Sequence, residues 1–274
     1  MTEHTPYIHG FSEEEQQRLI EQNEVLAPYI YDRIDMSRVG QLVEVGCGVG
    51  AQMMYLLSRY PDLRITGIEQ SARQIRKAGV HLERFPGFGG RYRILEGDAT
   101  LVSPQNDATI DAALLVWVLE HVPAPLPLLA RIREWIPAGR PLYITEVYHS
   151  SLGFYPSQPE VMAYWEDTLR CQRRLGGDPD VGLKLAGLLA EAGFNEVRTW
   201  TNTFLLDASS PVERQTLLRY WLDLMRSALH QTLENGDTSL ERWQAAEAAM
   251  RQLMAKPEAV FYYSFIQADA RWSV

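Results

Sequence analysis

The sequence predicts an α/β fold built on an open, doubly wound sheet, and three observations carry that prediction. Strand-like runs alternate with helix-like runs from residue 41 to residue 148. The run 110–118 is apolar after Asp111, as suits a strand covered on both faces of a parallel sheet. A glycine-rich turn joins the first strand to the next helix, where a chain must reverse sharply. Alternation at this spacing builds βαβ units and hence a parallel sheet. With 274 residues, 46% hydrophobic and 22% charged, the chain is long and apolar enough to bury a substantial core.

The elements follow in order. Residues 12–34 carry Leu19, Ile20, Val25, Leu26 and Ile30 at helical spacing, with Ser12 and Glu15 set as a capping box. They form an N-terminal helical lid over residues 1–40. The core, 41–206, holds strands at 41–45, 64–69, 92–96, 110–118, 141–148 and 195–206. Its helices fall at 51–59, at 71–85 after the cap Ser71, at 125–135, and at 181–192 before Gly193. Between them, 151–180 mixes Gly, Pro and aromatics and reads as an irregular lid or cap segment. Residues 207–256 form a helical cap insertion with helices at 212–233 and 240–254, and 257–274 supply a last strand, 259–268. Such sheets place ligands at the carboxyl ends of their strands, near the switch point.

Composition narrows the partners. The net charge of -9 argues against a nucleic-acid binder, and the pairs Arg131/Arg133 and Arg173/Arg174 are too short to make a basic patch. Two cysteines, Cys47 and Cys171, support neither a disulfide framework nor a metal cluster. No apolar run approaches the roughly 20 residues that span a bilayer. Residues 1–10 lack the basic and apolar regions of a signal peptide. The expectation is a cytoplasmic protein acting on a small molecule, with no nucleic acid, no membrane span and a possible homo-oligomer through the N-terminal helix.

The glycine turn runs Glu44, Val45, Gly46, Cys47, Gly48, Val49, Gly50. Gly46, Gly48 and Ala51 also satisfy the G-x-G-x-x-G/A spacing of dinucleotide binders, and Glu69 ends the next strand where an acidic residue would take ribose hydroxyls. These features point to a nucleoside ligand and leave open an NAD(P)-dependent oxidoreductase or a non-catalytic cofactor-binding protein. Further segments separate the readings. Glu44 before the three glycines, Gly97-Asp98-Ala99 after a strand, residues 111–122 (DAALLVWVLEHV) and residues 188–197 (LLAEAGFNEV) stand in one order along the chain. In that order they resemble the motifs of class I S-adenosylmethionine-dependent methyltransferases of the small-molecule type.

The resemblance implies a Rossmann-like seven-stranded sheet whose last strand runs antiparallel between the fifth and sixth, and S-adenosylmethionine as cofactor. By position, Gly46, Gly48 and Gly50, with Cys47 among them, would line the methionine part, and Glu44 would contact it directly or through water. Glu69 would hold the ribose, with Gln70 along the adenosine. Asp98 would bind the adenine amine and Ala99 its edge, while Val116 and Trp117 would end the fourth strand against the cofactor. In related enzymes an N-terminal Tyr touches the methionine end, which makes Tyr7 a candidate.

His121, just beyond the fourth strand, and His149, at the end of the fifth, are candidate general bases because histidine titrates near neutrality. His4, His9, His81 and His230 show no metal-ligand spacing. With no clear metal-binding carboxylate set, the expected reaction is metal-independent methyl transfer. Phe154, Tyr155, Tyr164, Trp165, Tyr220, Trp221, Phe261, Tyr262 and Tyr263 suit a small hydrophobic or aromatic acceptor. The acceptor atom, N, O or C, is left open.

Overall fold

The computed structural model describes residues 7–104 and 109–274; residues 1–6, with His4 and the start of the segment read as leaderless, and residues 105–108 lie outside the described residues. Seven strands form one sheet: β1 (Gln41–Val45), β2 (Arg64–Glu69), β3 (Tyr92–Glu96), β4 (Ala112–Val116), β5 (Leu142–Tyr155), β6 (Glu196–Leu206) and β7 (Val260–Arg271). Their order across the sheet is β3-β2-β1-β4-β5-β7-β6. The first five are parallel, and β7 runs antiparallel to both β5 and β6. The expected Rossmann-like sheet is therefore present, its last strand inserted between the fifth and sixth. All five residues of β4 are buried, because β4 is paired on both sides and covered on both faces.

Nine helices surround the sheet among the described residues: α1 (Glu13–Ile30), α2 (Ala51–Arg59), α3 (Ala72–Leu82), α4 (Pro125–Trp135), α5 (Pro159–Arg174), α6 (Leu185–Glu191), α7 (Pro211–Ser227), α8 (Leu229–Glu234) and α9 (Leu240–Met254). On one face, Leu128 and Ile132 of α4 and Leu185 and Leu189 of α6 cluster with Val43, Leu115 and Ile144 of the strands. On the other, Leu26 and Ile30 of α1 and Met53 and Leu56 of α2 join a core that continues into α5, α7 and α9. Ser12 caps α1 by accepting the Glu15 N–H at 3.1 Å. The other half of a capping box is not made: the Glu15 carboxylate turns instead to Arg18, at 2.7 Å from both Nε and Nη2.

The structure departs from the sequence reading in the second half of the chain. The fifth strand does not stop at Tyr148: with a register shift after that residue, β5 continues to Tyr155, held by pairing to β7 from Tyr262 back to Val260. The segment 151–180, read as irregular, contains α5, sixteen residues of helix burying Val161, Tyr164, Trp165, Thr168 and Leu169. The helix expected over 212–233 is divided at Ala228 into α7 and α8. α5 and the 207–256 insertion pack as one cap: Tyr164 donates to the Met225 carbonyl at 2.9 Å, and its ring lies 5.0 Å from Trp243.

Candidate functional site

At the switch point, between the carboxyl ends of β1 and β4, a cavity opens under α1 and the cap. About 1320 Å³ of empty space lies between its walls and in its open mouth.

One wall is the glycine turn. Gly46, Cys47, Gly48, Val49, Ala51 and Gln52 line it, and the positive φ values of Gly46 (69°), Gly48 (51°) and Gly50 (73°) make the turn possible. A Cβ on Gly46 would stand 2.8 Å from a Val118 methyl, so this position needs glycine twice over. Cys47 is buried over Gly67, and burial with the nearby Glu44 and Glu69 pushes its thiol well up, keeping it neutral. Two side chains that the sequence did not single out brace the turn from behind. His81 sits 3.2 Å from the Val49 carbonyl, and Asn23 of α1 donates to the Ala51 carbonyl at 3.1 Å.

Glu69, at the end of β2, faces this wall with Gln70 beside it. Its carboxylate takes the Gly48 N–H at 3.0 Å and the Ser71 N–H at 2.8 Å, which oppose the upward shift that burial causes. Glu44 lies beneath the turn rather than in the cavity wall. It is 2% exposed, its Oε2 has no partner among the described residues, and burial with Glu69's charge raises its carboxyl to about 8. Gly50 is the N-cap of α2. Asp98 and Ala99 also stand outside the cavity: Asp98 is surface-exposed and accepts from the N–H and hydroxyl of Thr100, while the Gly97 N–H before it donates to the Glu69 carbonyl at 2.9 Å.

The facing wall begins at the end of β4. Val116 and Trp117 line the cavity, and Trp117 adopts φ 54°, a left-handed conformation that bulky side chains rarely hold. Glu146 of β5 stabilises this sharp turn, its Oε1 accepting the Val118 N–H at 2.9 Å and the Leu119 N–H at 2.6 Å. Fully buried and near Glu120, Glu146 has its carboxyl raised to about 8. The sequence offered no signal for it, because its job depends on two N–H groups almost thirty residues away.

His121 and His149 both reach the cavity, and the structure joins them to Glu120. Glu120 Oε2 lies 3.3 Å from His149 Nε2 and accepts from Gln172 at 2.8 Å, while Oε1 is 3.7 Å from His121 Nε2. Burial alone would raise the Glu120 carboxyl; His121, His149 and Gln172 outweigh it and hold the group down at about 2. His9, which sequence reasoning passed over, also lines the cavity and bonds Ser227 of α7 at 2.7 Å. Tyr7 packs edge-on against His121 at 4.8 Å and donates to Glu15 at 3.1 Å. Above them, Phe204, Tyr220, Trp221, Tyr263 and Phe265 complete an aromatic wall. Of the aromatics expected there, Tyr164 and Phe261 are core, and Tyr155 and Tyr262 face outward. Among the described residues no group of three or more His, Cys, Asp or Glu side chains is placed to hold a metal ion, and no helix is long and apolar enough to cross a membrane.

The glycine wall fits a nucleoside with a charged tail. Glu69 keeps lone pairs for hydroxyls, the α2 N-terminus at Ala51 and Gln52 favours a carboxylate, and the unpartnered Glu44 Oε2 beneath can receive an ammonium or a water. A dinucleotide would find the same turn.

Residues 43–141 match the family described as "Methyltransferase domain". Trans-aconitate 2-methyltransferase of Deinococcus radiodurans is 32% identical over 99 residues, which cover 36% of this chain and 34% of the relative. (S)-coclaurine N-methyltransferase of Thalictrum flavum subsp. glaucum is 25% identical over 114 residues, 42% of this chain and 30% of the relative. Among solved structures, phosphoethanolamine N-methyltransferase 2 of Haemonchus contortus, with phosphomonomethylethanolamine and S-adenosylhomocysteine, shares the fold. Its TM-score is 0.59 at 13% identity, over 95% of this chain and 57% of that one. The chain spans between about a third and somewhat over half the length of these relatives.

Proposed function

The chain carries a class I S-adenosylmethionine-dependent methyltransferase domain, and from that premise we propose that it transfers the methyl group of S-adenosylmethionine to a small hydrophobic or aromatic molecule. One observation carries the reading: a glycine-and-carboxylate wall and an aromatic, histidine-bearing wall face each other across one cavity.

Gly46 and Gly48 would admit the methionine part close to the backbone, with its carboxylate toward the start of α2. Glu69 would hold the ribose hydroxyls. Gly97 ties the Asp98–Ala99 turn to the end of β2, which supports adenine lying along that side of Glu69. Tyr7, Val116 and Trp117 would close around the sulfur. The cofactor supplies an electrophilic methyl on a sulfonium with a good leaving group. The protein's part is then to orient the acceptor in line, exclude water and receive a proton where the acceptor has one. α1 suits the first two tasks, being fastened to α2 through Asn23 and to α3 through Gln16, which donates to Gln74 at 3.0 Å. The face of Trp117 and the ring of Tyr7 can shelter the sulfonium by cation–π attraction. His121 and His149 are the candidate bases.

Calorimetry with S-adenosylhomocysteine and with NAD tests the proposal. Saturable S-adenosylhomocysteine binding that Glu69→Ala weakens at least about tenfold, ~1.4 kcal/mol, supports it. Tight NAD binding without a signal from S-adenosylhomocysteine overturns it.

A further inference from the structure

The cap-side wall contains a chain of polar groups that cofactor binding does not explain. Tyr263 Oη of β7 lies 3.1 Å from His149 Nδ1 of β5, and the other ring nitrogen, Nε2, lies 3.3 Å from Glu120 Oε2. All three side chains are buried and none is more than 7% exposed, yet Tyr263, His149 and Glu120 all border the cavity. Each link is held from outside the chain. Gln172 of α5 fixes Glu120, and the Trp165 indole donates to the His149 carbonyl at 3.1 Å with its ring edge-on to the imidazole at 4.9 Å.

Proton positions follow from the partners. With the Glu120 carboxylate ionised, His149 Nε2 must carry the hydrogen that faces it, so in neutral His149 Nδ1 is the acceptor and Tyr263 donates to it. Tyr263 Oη then commits its own proton to His149 and keeps only acceptor capacity, part of it toward the Tyr148 backbone N–H. That is the arrangement of a nucleophile–histidine–carboxylate triad with a phenol at the outer end.

We propose that Tyr263, His149 and Glu120 form a proton relay in which Tyr263 receives the proton of the methyl acceptor, and that the acceptor is an aromatic hydroxyl compound. The inference rests on the methyltransferase reading above. Its first half comes from the hydrogen-bond chain. Its second half comes from the surroundings: Phe204 and Trp221 stand against Tyr263, with ring centroids of Tyr263 and Trp221 4.3 Å apart, and Phe265 stands against Phe204, so the space beside the relay is shaped by flat rings.

In the transfer step the acceptor oxygen forms a bond to the methyl carbon as the carbon–sulfur bond breaks, its electron pair leaving on sulfur. The acceptor's proton passes to Tyr263 Oη while Tyr263's own proton passes to His149 Nδ1. Tyr263 thus never becomes a free tyrosinate, which its burial and the Glu120 charge oppose. The positive charge lost at sulfur reappears on the His149 imidazolium, next to the Glu120 carboxylate. His149 releases the proton to water once the product has left. Other titratable and charged groups near the relay are His121 beside Glu120, Tyr220 of α7, Asp180 after α5, and His9 and Arg18 from the N-terminal side.

The probe is p-nitrophenol, whose anion is yellow, added to the protein saturated with S-adenosylhomocysteine at a pH where the free phenol is mostly neutral. A working relay takes the proton and raises the anion-to-neutral ratio of the bound probe by about tenfold, one pKa unit. Tyr263→Phe keeps the ring and its packing but should return the bound probe to the titration of the free phenol. Glu120→Gln should do the same by removing the carboxylate partner of the imidazolium. A probe that binds but titrates as in water, or an unchanged titration in Tyr263→Phe, overturns the relay. No probe binding by a protein that binds S-adenosylhomocysteine overturns the acceptor class. Absence of S-adenosylhomocysteine binding fails the underlying reading instead, so the failures are distinguishable.

Discussion

The glycine-turn wall of the cavity is made of backbone, whereas the cap-side wall is made of side chains. Residues 46–52 come from one continuous stretch, and their capacity to hold a ligand depends on φ values and on the absence of Cβ atoms. The opposite wall draws His121, His149, Phe204, Tyr220, Trp221 and Tyr263 from separate segments spread over more than 140 residues of sequence. A backbone wall serves one ligand and resists change. A side-chain wall can be rewritten residue by residue without disturbing the strands beneath it. One fold can thus keep its cofactor while changing its acceptor, which is why function has to be argued from the site.

Three substitutions test that contrast. Trp221→Ala should have the largest effect on stability: the side chain is 2% exposed and packs against Phe261, Tyr263 and Trp165, so truncation should cost ~3–5 kcal/mol in chemical denaturation. S-adenosylhomocysteine affinity should change little; a loss as great as the stability change would show that the walls are not separable.

Gly46→Ala should do the reverse. Its positive φ and the 2.8 Å approach to Val118 should cost ~1–3 kcal/mol in stability and at least about tenfold in S-adenosylhomocysteine affinity by calorimetry. Gly48→Ala, with positive φ but nothing within 4 Å of the new Cβ, should cost only ~1–2 kcal/mol in stability. Equal effects at the two positions would mean that φ alone, not close approach, governs the turn.

The smallest expected effect is on pH dependence. Glu146 and Glu44 have carboxyls raised to about 8, chiefly by burial, so the stability each contributes is present below the ordinary carboxyl value and is lost as pH rises through about 8. Glu120 has the opposite sign: held down at about 2, it contributes above the ordinary carboxyl value and loses that contribution as pH falls toward 2. Glu146→Gln keeps an oxygen for the Val118 and Leu119 N–H groups and should flatten the decline in Tm between the ordinary carboxyl value and about pH 8. A decline over that range as steep as the wild type's would place the titrating group elsewhere.

Much of the sheet was readable because its signals are local. The strands at 41–45, 64–69 and 92–96 and the helices at 51–59, 125–135 and 240–254 have the bounds their own periodicity and punctuation predict. The extension of β5 was hidden. His149, Ser150, Ser151 and Gly153 have little strand propensity; pairing with β7, more than a hundred residues later, lapses after Tyr148 and resumes at Gly153, while Ser151 Oγ accepts the Ser264 N–H at 2.8 Å. α5 was readable in principle, since Val161, Tyr164, Trp165, Thr168 and Leu169 recur at helical spacing, although the Gly, Pro and aromatic residues around it also suit an irregular segment. In the site, Gly46, Glu69 and His121 could be picked out by position in a motif. His9, Glu146 and the Tyr263 hydroxyl could not, because each acts on a group distant in sequence.

By itself, then, the sequence determined the alternation of strands and helices, the glycine turn, the acidic end of β2 and the nucleoside class of ligand, all of which depend on backbone conformation and residue type within a few positions. Only the tertiary structure decided that Glu120, His149 and Tyr263 form one hydrogen-bonded chain, that Trp117 is held at positive φ by contacts from β5, and that two separate helical segments close into one cap. Those outcomes depend on which buried polar group finds which partner once the strands are ordered, and pairing across the sheet is set by topology rather than by nearness along the chain.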